Sequence, residues 1–230
     1  LSVQIFSPSP PKFNMPSFTY QPFRMMLSAF ACFFANVSLS ILARSTGLPT
    51  RPFHPLRSLQ LNKADILIYR DKRTLQPLFV KKPMPGTFLK QLPFQLTIDS
   101  LIVHHSQITY EEHPVTHRDP GKIIFAQMEF TGTHITNSPE RLQKTPVCIV
   151  KAKSSFMNNT LLTAEFSFKF GGTQDSFEVK GALGTIKDET LNKPLIPLAG
   201  VSVTGQIQKT DFTIKGNDIS AITSMRLMYD

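Results

Sequence analysis

Acidic residues are absent from the first 64 positions of the chain, which contain six Lys or Arg and no Asp or Glu. The other 166 residues (230 − 64) carry 19 basic and 16 acidic groups, so most of the formal net charge of +9 belongs to the N-terminal segment. A nearly neutral remainder lacks the clustered basic surface that binds phosphate backbones. We therefore expect no nucleic-acid partner.

Cysteine is also scarce. Cys32 and Cys148 are 116 positions apart in unlike contexts, which predicts neither a disulfide framework nor a metal site and is compatible with any compartment.

Catalytic motifs are missing as well. The chain contains no Gly-x-Ser-x-Gly elbow, no P-loop and no Gly-x-Gly-x-x-Gly fingerprint. His113 and His117 have helical metal-binding spacing, but Pro114 between them favours a solvated loop. His104 and His105 fall in a predicted strand, where neighbours point to opposite faces, so only one of them could line a site. We predict no enzymatic activity, no metal and no cofactor.

Residues 1–56 differ in composition from the rest, with eight of the 18 prolines and eight of the 19 phenylalanines. Within them, residues 25–43 form a 19-residue run without charge between Arg24 and Arg44. That length just reaches a membrane span, but Asn36 and several serines dilute it. A buried helix, an irregular cover and a membrane or signal segment all stay open. Because the chain begins at Leu1, we interpret it as a fragment of a longer protein.

From residue 57 onwards the apolar residues repeat with a period of two, which is typical of strands. No pattern for a helix of ten or more residues separates successive strands, and parallel crossovers need such helices. The prediction for residues 57–230 is a mainly β domain with an antiparallel meander sheet, one face in water, and one or two short helices, at 86–92 and before Pro194. The segment 59–71 is predicted as one strand, and a step in the next pattern is predicted at Asp99-Ser100.

The clearest alternation lies in 162–170, where apolar residues alternate with Thr163, Glu165, Ser167 and Lys169. The pair Gly171-Gly172 predicts a hairpin turn to a second strand with the same period. Burying such a face stabilises the fold whether the cover is a second sheet or a lipid chain. The pattern alone leaves both open.

Four stretches, 92–112, 121–137, 191–218 and 225–230, resemble the C-terminal part of AsmA-like proteins of Gram-negative bacteria, in their Bacteroidetes-type long form. The matching residues are Ile98-Asp99-Ser100-Leu101, Tyr110-Glu111-Glu112, Phe125, Asn137, Leu191-Asn192, Pro197-Leu198-Ala199-Gly200-Val201, Gly205, Asp211-Phe212 and Tyr229. The resemblance covers about 57–230 and excludes 1–56. One departure is His105-Ser106, where the family pattern has an Asn-Gly turn.

The resemblance implies a periplasmic protein of outer-membrane biogenesis, held at the inner membrane by an N-terminal anchor outside this fragment. It also implies a curved sheet folded into an open, taco-like groove that takes phospholipid acyl chains; protein partners are not implied. The residues expected to line that groove are Phe94, Leu96, Ile98, Leu162, Ala164, Phe166, Phe168, Phe170, Phe177 and Val179. The alternative hypothesis is a closed β-sandwich for assembly or adhesion, without lipid.

Overall fold

A computed structural model describes residues 56–73, 84–115, 119–170, 175–217 and 219–230. The predicted apolar run 25–43, His117 and the Gly171-Gly172 turn lie outside these ranges.

The described residues form ten strands and three helices. The strands are β1 (Leu56–Asn62), β2 (Asp65–Asp71), β3 (Thr97–His113), β4 (Gly121–Thr136), β5 (Val147–Phe156), β6 (Thr160–Lys169), β7 (Ser176–Leu183), β8 (Ile186–Lys187), β9 (Gln206–Asn217) and β10 (Ala221–Tyr229). The helices are α1 (Pro85–Lys90), α2 (Pro139–Lys144) and α3 (Asp188–Ala199).

All ten strands belong to one open sheet in the order β1-β3-β4-β5-β6-β7-β9-β10, with β2 also paired to β3 and β8 to β9. Every pair from β3 to β10 is antiparallel. The predicted mainly β, antiparallel fold with short helices is therefore confirmed.

The first edge of the sheet differs from the prediction in two ways. The segment 59–71 forms two strands, because the chain turns at Lys63, whose φ is 57°. Both strands pair in parallel with β3. The expectation that parallel pairing needs a helix of ten or more residues failed here, because the connection from Asp71 to Thr97 is long enough for a parallel return although α1 has only six residues.

Strand β3 changes phase twice. Its buried positions move from Ile98 to Leu101, which confirms the predicted step at Asp99-Ser100. A second shift lies between Val103 and Ser106, where His104 and His105 are both exposed and His105 has φ 49°. The two histidines therefore do not alternate across the sheet, because a β-bulge adds one residue to the strand.

The helices are short, as predicted, but their positions were only partly anticipated. Helix α1 matches the expected turn at 86–92, whereas α2 was not predicted. Helix α3 does not stop before Pro194; it continues through Pro194 and Pro197 to Ala199 and is capped by Gly200, which has φ 65°. The side chain of Asn192 accepts from Val203 N–H and donates to Val203 C=O, which ties the helix to the chain that follows it.

The outer face of the sheet carries pairs of opposite charge, both between neighbouring strands and within β7. Lys151 lies 3.5 Å from Glu165, and Glu178 lies 3.5 Å from Lys180 and 3.1 Å from Lys215. The hydrogen bond from Lys215, together with the charge of Lys180, lowers the pKa of the Glu178 carboxyl. These exposed pairs contribute little to stability, but they leave the sheet with one solvated face and one apolar face.

Candidate functional site: the apolar face of the sheet

Rows of in-register residues cross the sheet on its apolar side, because direct cross-strand partners share a face. One row runs through seven strands and consists of Leu101, Gly132, Val150, Phe166, Val179, Ile214 and Thr223. The next row consists of Val103, Phe130, Ala152, Ala164, Gly181, Phe212 and Met225. We call the surface formed by these rows and their two neighbouring rows the apolar face.

Three phenylalanines of the β6 strand and its end form a stack along the apolar face. The ring centroids of Phe166 and Phe168 are 6.0 Å apart with an interplanar angle of 11°, and those of Phe168 and Phe170 are 6.2 Å apart at 19°. Phe168 pairs with Cys148 on one side and Phe177 on the other. The alternation read from the sequence therefore places these rings on one side of the sheet.

The apolar face is not equally covered along its length. Phe168 is 1 % exposed, Phe166 2 % and Ala164 8 %, while Leu162, two residues further, is only half-buried. In the same row as Leu162, Leu183 and Leu227 are also half-buried, whereas Ser154 and Thr210 are buried. The face is thus closed at the end near Phe170, and only the leucine side chains are partly exposed at the end near Leu162.

Helix α1 closes the Phe170 end. A Cβ on Gly86 would overlap Phe170 Cδ1, so only glycine allows the helix to approach this closely. Asp175, which is 4 % exposed, accepts from Lys90 Nζ at 2.7 Å and from Thr87 Oγ1 at 3.1 Å. This buried carboxylate holds α1 against the start of β7.

Three residues predicted to line the groove, which lie just before β3 or at its start, are beside this closed end. Leu96 and Ile98 are buried and Phe94 is half-buried. The Asn137 side chain accepts from Leu96 N–H at 2.7 Å and donates to Phe94 C=O at 2.8 Å and Leu89 C=O at 3.0 Å. One side chain therefore fixes α1, the segment before β3 and the end of β4 together.

Sequence reasoning missed several members of the apolar face. Phe130, Val150 and Ile214 are each buried in the same cluster as the predicted residues, and Leu89 of α1 joins them. In β5 the apolar residues Val147 and Ile149 alternate with the buried residues Cys148 and Val150, so hydrophobicity alone does not distinguish the two faces of this strand. The cross-strand register identifies the buried face, and it cannot be read from the sequence.

A buried carboxylate at the far end of β3 serves as an anchor for β2. Glu112 accepts a 2.5 Å hydrogen bond from the Tyr110 hydroxyl and lies 2.5 Å from Lys72 Nζ and 3.7 Å from Arg70. Burial, followed by the hydrogen bond to Glu112, raises the pKa of Tyr110. Because its oxygens are already paired within the fold, Glu112 is arranged to hold strands together rather than to transfer protons.

The thiol of Cys148 lies in the Phe168 row, and burial raises its pKa to about 12. It stays protonated near neutral pH and is a poor nucleophile. Among the described residues, no group of three His, Cys, Asp or Glu side chains is close enough to hold a metal ion. Of the histidines considered from the sequence, His113 has a buried Nδ1 without a hydrogen-bond partner in the described part of the chain.

No helix within the described ranges has the length and apolar character needed to cross a membrane. Comparisons with family models, with curated proteins and with solved structures give no match to this chain.

Proposed function

We propose that this chain is a non-enzymatic segment of an AsmA-like periplasmic protein of outer-membrane biogenesis, and that its apolar face accommodates phospholipid acyl chains. The observation that carries the proposal is the uneven cover of the apolar face: α1 closes it near Phe170, whereas Leu162, Leu183 and Leu227 at the other end are half-buried. The membrane anchor that the resemblance implies would lie outside this fragment.

The energetics of acyl-chain binding suit such a surface. A 16-carbon chain that leaves a bilayer loses roughly 13 kcal/mol of favourable burial, at about 0.8 kcal/mol per CH₂. Contact with aromatic and aliphatic side chains returns a similar amount. A nearly balanced exchange lets a chain enter and leave, which suits transfer rather than storage.

A second candidate function, a closed assembly or adhesion module, has its own supporting observation. Eight of the ten predicted groove residues are at most 8 % exposed: Leu96, Ile98, Ala164, Phe166, Phe168, Phe170, Phe177 and Val179. Only Phe94 and Leu162 are half-buried. For the lipid function, an acyl chain must therefore enter at the Leu162 end and displace part of the existing cover.

Photo-crosslinking at two adjacent residues tests the proposal. A benzophenone amino acid at position 162 reports on the apolar face, and the same group at exposed position 163 reports on the outer face. Expressed in the periplasm of a Gram-negative host, the position-162 variant is expected to yield phospholipid adducts, detected by mass spectrometry, and the position-163 variant is not. Adducts at 162 that join only residues of the same chain would support the closed module instead.

A further inference from the structure

A second helical element packs over the apolar side of the sheet, at the end opposite α1. The segment 188–205, which we call the flap, consists of α3 and the chain that returns from it to β9. The two ends of the flap meet, because Asp188 N–H donates to Gly205 C=O at 3.1 Å and Gly205 N–H donates to the Asp188 carboxylate at 3.1 Å. The flap therefore has a single base, beside the short β8–β9 pair.

The tip of the flap reaches β4. A Cβ on Gly121, the first residue of β4, would overlap the Leu198 side chain, so this position needs glycine. Leu198 also packs against the buried cross-strand partners Tyr110 and Ile123. Phe125 packs both against this pair and against the main apolar cluster, which places the contact on the apolar side of the sheet. We call the packing of Leu198 on Gly121 the tip contact.

Between its base and its tip, the flap crosses the ends of β5, β6 and β7, which lie between β4 and β9 in the sheet. From β4 to β7 or β9 is three or four strand spacings of about 4.8 Å, or about 14–19 Å in total. The 12 residues of α3 are about 18 Å long, which matches this width. Phe156 packs in the same cluster as Leu198 and pairs with Thr160, two residues before Leu162. The flap therefore lies across the Leu162 end of the apolar face.

The flap is well connected within itself but loosely packed on the sheet. The side chain of Asn192 bonds both backbone groups of Val203, at 2.8 and 2.9 Å, which joins α3 to the returning chain. Pro194 is the one buried residue of α3, all of which is described. Pro194 and Pro197 also lack the N–H groups that would complete the helical hydrogen bonds. Few buried apolar contacts are typical of segments that open before the whole protein unfolds.

We propose that the flap opens as a unit about its Asp188–Gly205 base and so controls access to the Leu162 end of the apolar face. In the closed state the tip contact holds α3 across the ends of β5, β6 and β7. When the tip contact breaks, the half-buried Leu162 becomes accessible. The role in lipid entry rests on the proposed function, whereas the opening depends only on how α3 is packed and can be measured without lipid.

Breaking the tip contact tests the opening. Leu198→Gln removes the apolar side chain that packs on Gly121, and the matched control is Ile196→Gln, at a residue of the same helix that is 43 % exposed. With Leu162→Cys as a reporter, we expect Leu198→Gln to raise thiol alkylation at position 162 and amide exchange in the flap by about tenfold, with exchange in the centre of β4 unchanged. Ile196→Gln should change neither rate. Chains without Leu162→Cys measure the background from the native thiols. Equal effects of the two glutamines, or no effect of either, would overturn the proposal.

A disulfide across the tip contact tests the control of lipid entry. Gly121→Cys combined with Leu198→Cys places two thiols where these residues now touch, which suits a disulfide. The bond forms in the oxidising periplasm and is identified by peptide mass spectrometry. We expect it to slow amide exchange in the flap and to lower phospholipid adducts of a benzophenone at position 162 by about tenfold relative to either single-cysteine variant.

The outcomes of the disulfide experiment separate the two proposals. Undiminished adducts in the disulfide-bonded chain, or flap exchange that the disulfide does not slow, would overturn the control of access by the flap. Absence of phospholipid adducts from the disulfide-bonded and single-cysteine chains alike would overturn the lipid function instead. The opening of the flap is then decided by exchange and by alkylation at position 162.

Discussion

The two ends of the apolar face have similar residues and different surroundings. At one end, Phe168 and Phe170 lie under α1 and are almost completely buried. At the other, Leu162 alternates in the same strand with the same period, yet stays half-buried. Strand alternation therefore determines which side a residue faces, whereas the elements that pack over that side determine whether the residue is available to a ligand.

The largest contrast between the two ends should appear in their contributions to stability. We expect Phe168→Ala to reduce the free energy of unfolding by about 3–5 kcal/mol, because it leaves a cavity in a fully packed region. Leu162→Ala should cost only about 1 kcal/mol, since that side chain is already partly in water. Denaturant unfolding of the 230-residue chain measures both values.

An equal loss in the free energy of unfolding for Phe168→Ala and Leu162→Ala would contradict the expected difference between the two ends. They would mean that the Leu162 end is as tightly covered in solution as the Phe168 end. Thr163→Ala, on the exposed face of the same strand, is a control for changes in strand propensity alone.

A smaller effect is expected from the contact that holds α1 in place. Asp175→Asn keeps the shape of the side chain but removes the charge that pairs with Lys90, and we expect a loss of about 1–3 kcal/mol. Amide hydrogen exchange should increase in residues 85–90 and stay unchanged in the centre of β4. The matched control is Asp211→Asn in the exposed pair with Lys209, where the atoms are 3.0 Å apart. That substitution should have no measurable effect on the free energy of unfolding or on amide exchange in residues 85–90.

Unchanged exchange in residues 85–90 after the Asp175→Asn substitution would show that the carboxylate does not hold the helix. The packing of Gly86 against Phe170 would then be sufficient to close this end.

The parts of the fold that depend on local pattern could be predicted from the sequence. The period of two in β6 and β7 identifies the hairpin strands, and the interval from Ile98 to Leu101 identifies a step in β3. Both signals are carried by neighbouring residues. The sidedness of the groove candidates followed from the same alternation.

The parts that depend on distant contacts could not be predicted. The parallel pairing of β1 with β3 requires knowledge of where residues 72–96 lead the chain. The closure of the Phe170 end requires that Asp175 meet Lys90, 85 positions earlier in the sequence. No local pattern contains either contact. The extent to which the apolar face is covered could therefore not be predicted from the sequence.

The smallest expected effect is on the pH dependence of stability. It depends on two buried titratable groups, one near each end of the apolar face. Cys148 lies in the closed row, with a pKa raised by burial to about 12 from an ordinary 9. Tyr110 lies at the far end of β3, with a pKa raised above its ordinary 10. In both cases the neutral form is favoured in the folded state. The stability that each contributes is complete below the unfolded-state pKa and falls as the pH rises towards the folded-state pKa.

Stability should therefore decline from about pH 9 upwards, first through Cys148 and then through Tyr110. Cys148→Ala should remove the part of the decline that begins near pH 9, and Tyr110→Phe the part that begins near pH 10. Melting temperatures between pH 7 and pH 11 measure this, with Tyr229→Phe as a control at an exposed tyrosine. If Cys148→Ala leaves the decline near pH 9 unchanged, the thiol already titrates in the folded protein. The Phe168 row would then be open to water, and the two ends of the face would be alike.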